Sequence, residues 1–153
     1  MLLGSTFPNL EVDTTHGILK IHQYQGNSWL MFFSHPADFT PVCTTELGNA
    51  VKNIEEFNKR NVKLIALSCD SVDDHNGWCS DVMAYTNKPD EPLPYPIIAD
   101  EVREIAFKFG IIDDKAKTAC GMPLTARAVF LVDPSKILRW TIMYPVSTGR
   151  SYE

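Results

Sequence analysis

Two short apolar runs, Trp29–Ser34 and Val62–Ser68, show almost none of the apolar–polar alternation of a half-buried strand. Strands of that kind are covered on both faces. Between them Leu47, Ala50, Val51, Ile54 and Phe57 recur at helical spacing, which predicts one crossover helix. A strand, a helix and a second such strand make a βαβ unit with parallel strands, and that order excludes a plain hairpin protein. A second helix is expected from near Ser71 to about Tyr85, with Asp73 and Asp74 in the first turn, where the helix dipole favours acids. The proline-rich stretch Asn87-Lys88-Pro89-Asp90-Glu91-Pro92-Leu93-Pro94 ends it. Residues 95–99 read as another strand, and Val102, Ile105, Ala106 and Phe109 as a helix closed by Gly110. Residues 126–132 and 137–143 read as a β-hairpin turned through Asp133-Pro134-Ser135-Lys136. The fold class is therefore α/β, with a mixed central sheet flanked by helices. No repeat or internal linker interrupts the chain, so residues 1–153 are expected to form one domain.

Charge and cysteine usage narrow the function. Fourteen basic against nineteen acidic residues leave a net charge of −5 with no basic stripe, which argues against nucleic acid or an anionic membrane surface as partner. No segment approaches the length of a membrane span, and the N-terminus does not read as a secretory signal. Cys43, Cys69, Cys79 and Cys120 form no Cys-x-x-Cys pair and no disulfide-framework spacing, which suits free thiols in a reducing, cytoplasmic compartment. His16, His22, His35 and His75 are scattered rather than grouped with cysteines, so no metal site is expected.

Pro36-Ala37-Asp38-Phe39-Thr40-Pro41-Val42-Cys43 follows the first apolar run directly. Thr40 suits a helix N-cap and Pro41 the first helical position, which puts Cys43 in the first turn. Free N–H groups and the positive end of the dipole favour a thiolate there. The same pattern also fits a buried structural cysteine beside an ordinary cap.

Pro-x-x-x-Thr-x-x-Cys at 36–43 resembles the active-site signature of the peroxiredoxins, thiol peroxidases on a thioredoxin-like fold. The longer run 34–48 looks like the 1-Cys branch of that family. Further blocks match in the family's order at 61–68, 70–75, 96–100, 125–127 and 144–150. The resemblance implies that Cys43 is oxidised by hydrogen peroxide or small alkyl hydroperoxides to a sulfenic acid. An external thiol reductant of thioredoxin or glutathione type would restore it, without metal, haem or flavin. It also implies donors from Thr40 and the N–H groups of Val42 and Cys43, and a guanidinium from Arg127. Arg150 would be a second cation and Glu46 would orient both arginines. Pro36 would shield the sulfur. His35 would either hydrogen-bond the thiolate or be an ordinary loop histidine, and Arg127 and Thr40 likewise have bland alternatives as a solvent-reaching arginine and a plain cap. A homodimer paired through strand 137–143 is implied as well.

The remaining cysteines read mainly as structure: Cys69 and Cys79 as small hydrophobes, Cys120 as an exposed loop residue with an open redox role. A resolving cysteine in a Val-Cys-Pro motif is absent, and position 46, where a thioredoxin-type dithiol needs its second sulfur, is Glu. Two rival functions stand beside this one. One is a redox-sensing or chaperone-like binding protein. The other is a serine hydrolase of phospholipids, which some 1-Cys relatives combine with peroxidase activity through Gly-x-Ser-x-Gly. Here Gly26-Asn27-Ser28-Trp29-Leu30 lacks the second glycine; His22 is in place, but Ser135 stands where the partner Asp is expected. Residues 148–153 resemble a helix start without its body, so the family's C-terminal arm is expected to be missing and Arg150 to be loosely held.

Overall fold

The computed structural model describes residues 1–153. Its chain opens on a hairpin that the sequence patterning did not reveal, β1 (Glu11–Thr14) paired antiparallel with β2 (Gly17–Lys20). The side chain of Thr14 shapes that turn, accepting from the His16 N–H at 3.0 Å and donating to the Gly17 carbonyl at 2.7 Å. A single short helix, α1 (Ile21–Gln25), leads to β3 (Trp29–Ser34). Then come α2 (Pro41–Lys52), α3 (Ile54–Lys59), β4 (Val62–Ser68) and α4 (Val72–Tyr85). The rest is β5 (Ile97–Ala99), α5 (Glu104–Phe109), a small sheet of β6 (Ile112–Lys117) and β7 (Pro123–Thr125), and the hairpin β8 (Arg127–Val132) with β9 (Leu138–Tyr144).

The main sheet has seven strands in the order β2-β1-β5-β4-β3-β8-β9, parallel at β3/β4 and β4/β5 and antiparallel elsewhere. Both faces of β3 are covered, which is why its sequence does not alternate. Phe32 joins Phe7, Phe109 and Phe130 in one cluster, their contacting rings 5.2 to 6.0 Å apart. Its neighbours Met31 and Phe33 point to the other face, among Leu47, Ala50, Trp78 and Val82 of α2 and α4. Gly48 permits that close packing, because a Cβ there would run into the Tyr85 ring.

Three boundaries differ from the periodicity. The crossover helix is broken after Lys52, where the Asn53 side chain donates to the Asn49 carbonyl at 3.0 Å and competes with the helical ladder. The helix expected from Val102 begins at Glu104, since Arg103 is left-handed (φ 63°) and Val102 is exposed. Residues 148–153 form no helix. The α4 start, by contrast, is as expected, with Ser71 Oγ accepting from the Asp74 N–H at 3.0 Å.

Candidate active site

β3 ends at the carboxyl edge of the parallel strands, where open α/β sheets place their sites, and the loop 35–40 turns the chain into α2. Phe39 is left-handed (φ 58°), Thr40 is extended, and Pro41 opens the helix. Cys43 therefore lies in the first turn, and it has no exposed surface. Thr40 has the backbone of an N-cap but not the side-chain bond: its hydroxyl donates to the Ala37 carbonyl at 3.0 Å. This corrects the donor role implied for Thr40. With its hydrogen engaged, Oγ1 offers lone pairs only, and the first-turn N–H groups keep no side-chain acceptor.

Arg127, at the start of β8, crosses to Cys43 and donates from Nη1 to Sγ at 3.4 Å. The same nitrogen donates to Glu46 Oε1, and Nε donates to the Val146 carbonyl at 2.8 Å. Glu46, one turn beyond Cys43, also receives Arg150 through Nε at 2.7 Å and through the backbone N–H at 2.8 Å. Arg150 Nη1 donates to the Ala128 carbonyl at 2.7 Å, and its side chain is 3% exposed. Arg150 is thus pinned rather than loose, because a buried carboxylate and a strand carbonyl both hold it. Two guanidinium charges against one carboxylate leave this buried cluster with an excess of one positive charge, located where Sγ sits. Tyr152 closes it from the side, its ring edge-on to Phe33 at 5.4 Å and under the Arg150 guanidinium at 5.6 Å.

His35 does not bond the sulfur. Its Nε2 donates to Asp38 Oδ1 at 2.7 Å, and its ring lies 5.0 Å from that of Trp78. Asp38 Oδ2 meets His75 Nδ1 at 2.5 Å, and His75 Nε2 reaches the Ile98 carbonyl at 3.0 Å. Trp78 Nε1 in turn donates to Thr44 Oγ1 in the first turn of α2, at 3.0 Å. Sequence reasoning missed Asp38, His75 and Trp78, since partners 37 residues apart on a loop and a separate helix leave no periodic signal. Pro36 is buried in the same loop. His35, Asp38 and Asp70 also bring metal-ligating atom types within 4.8 Å of one another. Those atoms already bond within the protein: Asp70 Oδ2 accepts from the Asp38 N–H at 3.0 Å and from Ser68 Oγ at 2.5 Å.

Burial opposes ionisation of Asp38, yet the bonds from His35 and His75 outweigh it and hold the carboxyl down at about 2. The folded state therefore binds this proton less readily than the unfolded chain. The resulting stability is fully present above about pH 4 and is lost as the pH falls towards 2, amounting to about 2 kcal/mol. Urea unfolding of the wild type and Asp38→Asn at a series of pH values across that window checks this. The gap between the two proteins should close as the pH falls.

The other cysteines lack this environment. Burial pushes the Cys69 thiol up to about 12 and the Cys79 thiol up to about 11, and Cys120 is exposed. The hydrolase constellation does not assemble either. Ser28 Oγ donates to Asn61 Oδ1 at 2.8 Å, and His22 Nε2 is engaged by the Phe7 carbonyl at 2.6 Å.

The AhpC/TSA family model matches residues 3–141. Peroxiredoxin-6 of Gallus gallus is 54% identical over an alignment covering all of this chain and 69% of that protein. Among solved structures, the peroxiredoxin 6 of Arenicola marina superposes with a TM-score of 0.96 at 53% identity, over 99% of this chain and 69% of that one. A yeast mitochondrial 1-Cys peroxiredoxin superposes with a TM-score of 0.88 at 40% identity, over 99% of this chain and 71% of that one. A thioredoxin-like sheet with a buried cysteine held against an arginine at a helix start is the framework of a thiol peroxidase. The chain belongs to the AhpC/TSA family and is a peroxiredoxin.

Proposed function

We propose that Cys43 reduces hydrogen peroxide and small alkyl hydroperoxides by a 1-Cys cycle. The thiolate attacks one peroxide oxygen and the O–O bond breaks. Sulfur takes that oxygen as a sulfenic acid, and the other oxygen leaves as hydroxide or alkoxide and is protonated to water or alcohol. An external thiol then attacks the sulfenic sulfur, releasing water and forming a mixed disulfide. A second thiol displaces Cys43 as thiolate. The yeast relative is described as resolved through glutathione and thioredoxin systems, which supports a reductant of that type here.

The observation that carries this reading is the buried contact between Cys43 Sγ and Arg127 Nη1, at 3.4 Å. Arg127 compensates the thiolate and meets charge developing on the leaving oxygen. Glu46 holds Arg127 and Arg150 in register. Thr40 Oγ1 accepts a hydrogen bond from the hydroperoxide O–H, and the first-turn N–H groups donate. Pro36 keeps water off the sulfur, and His35 acts through Asp38 rather than on the sulfur. Complete burial of Cys43 favours small peroxides. The test is peroxide consumption with thioredoxin and glutathione supplied in parallel. A protein that oxidises once and then stalls with both would be a sensor, and the cycle proposed here would be wrong.

Residues 1–153 are read as one domain. Four free cysteines support a reducing compartment such as the cytoplasm, and no helix is long and apolar enough to cross a membrane. β9 is an edge strand exposing Trp140, Met143 and Tyr144, and unpaired edges recruit partners. That exposure supports a homodimer paired through this strand. Ile142→Pro should therefore shift the protein towards monomer in sedimentation, because proline cannot complete a ladder. A wild-type monomer at micromolar concentration would overturn the pairing.

A further inference from the structure

Ser34 and Thr125 join the strand that leads to Cys43 to the strand that carries Arg127. The antiparallel ladder between β3 and β8 ends at the pair Phe33↔Val129, before it reaches the arginine. Ser34 is completely buried, and its hydroxyl continues the connection. Oγ accepts from the Ala128 N–H at 3.1 Å and donates to the Ala126 carbonyl at 2.7 Å, so it bonds the backbone on both sides of Arg127. One residue on, Thr125 Oγ1 donates to the His35 carbonyl at 2.5 Å. Three bonds thus span the gap where the regular ladder stops, and all three flank the residue whose guanidinium reaches Sγ. Ser34 donates one bond and accepts one, as a peptide unit in the ladder would.

We infer that Ser34, assisted by Thr125, is a positioning residue that fixes the backbone of Arg127 relative to Cys43. This rests on the role given to Arg127 above. The hydroxyl of a buried serine can bond any backbone group within reach. This one uses both of its hydrogen-bonding functions on the two peptides adjoining a single side chain. Losing them leaves the Ala128 N–H and the Ala126 carbonyl without these partners in a buried site, and frees the arginine to shift by a fraction of an ångström.

The test is a double-mutant cycle read by the second-order rate of Cys43 oxidation with hydrogen peroxide. A parallel readout is the pH profile of Cys43 alkylation by iodoacetamide, which a purely structural role would not move. Ser34→Ala should slow oxidation about tenfold and shift the alkylation profile to higher pH. In an Arg127→Met background the same change should alter the rate by less than about twofold, because the group that Ser34 positions is gone. If Ser34→Ala fails to fold, Thr125→Val, which keeps the side chain's shape, carries the same cycle. Equal slowing in both backgrounds, or an unmoved alkylation profile, would overturn the positioning role. An Arg127→Met protein that oxidises at the wild-type rate would instead overturn the role given to Arg127, and the inference with it.

Discussion

Replacing Cys43 with Ser should abolish peroxide consumption, while Cys69→Ser, Cys79→Ser and Cys120→Ser each keep most of it. The reason is environmental, since all four sulfurs are chemically alike at the outset. Only Cys43 stands in a helix first turn and accepts from a guanidinium. Burial pushes Cys69 and Cys79 up to about 12 and about 11, so at neutral pH both are almost wholly thiols and poor nucleophiles. Cys120 is exposed and solvated, with no charged partner bonded to it in the fold. The measurement is steady-state consumption of hydrogen peroxide with a thiol reductant in excess. Loss of activity in Cys120→Ser comparable to that in Cys43→Ser would end the one-cysteine mechanism and make Cys120 a resolving residue.

The parts of this protein that were legible in the sequence are those whose physics is local or periodic. β3 and β4 announced themselves because Phe32 and Phe33 serve opposite cores, leaving no polar positions between them. The start of α4 was readable because Ser71 and Asp74 satisfy each other three residues apart. The β1–β2 hairpin escaped notice for the opposite reason. Glu11 and Asp13 face solvent, Ile18 is exposed, and the turn is shaped by a threonine side chain rather than by a glycine pair.

The site divides in the same way. Cys43, Thr40 and Pro41 belong to one contiguous motif, whereas Arg127 and Arg150 meet it only through the fold. The resemblance to the family put those arginines together, but it did not reveal the dependence among them. Glu46 accepts from both, so the immobility of Arg150 is a property of a buried carboxylate more than a hundred positions earlier. Proximity to the chain's end was a poor guide for that reason. Asp38 was passed over within the motif itself, because its partners are His75 and the Asp70–Ser68 pair rather than its sequence neighbours alone. His35 follows from that: with Nε2 committed to Asp38 it acts on the loop, and its Nδ1 is buried without a partner.

Arg127→Met should slow Cys43 oxidation about a hundredfold or more, and move its alkylation profile to higher pH. The argument is one of charge balance in a site with almost no solvent. With Arg127 in place, two arginines, one glutamate and a thiolate sum to zero. Without it, Arg150 and Glu46 still neutralise each other through the Nε and backbone N–H contacts, so a thiolate at Cys43 would be an uncompensated buried anion. Proteins avoid that state by keeping the proton on. Because the Arg150–Glu46 pair survives, the fold should tolerate the change better than the chemistry does, which a thermal unfolding curve would show. Arg127→Lys separates charge from geometry. Lysine restores a cation but cannot serve the Val146 carbonyl, Glu46 and Sγ through one planar fork, as Arg127 does with Nε and Nη1. It should therefore recover part of the lost reactivity while remaining well below the wild-type rate. An Arg127→Met protein whose alkylation profile overlays that of the wild type would show that the helix start alone sustains the thiolate, and that the arginine at 3.4 Å serves only to anchor Glu46.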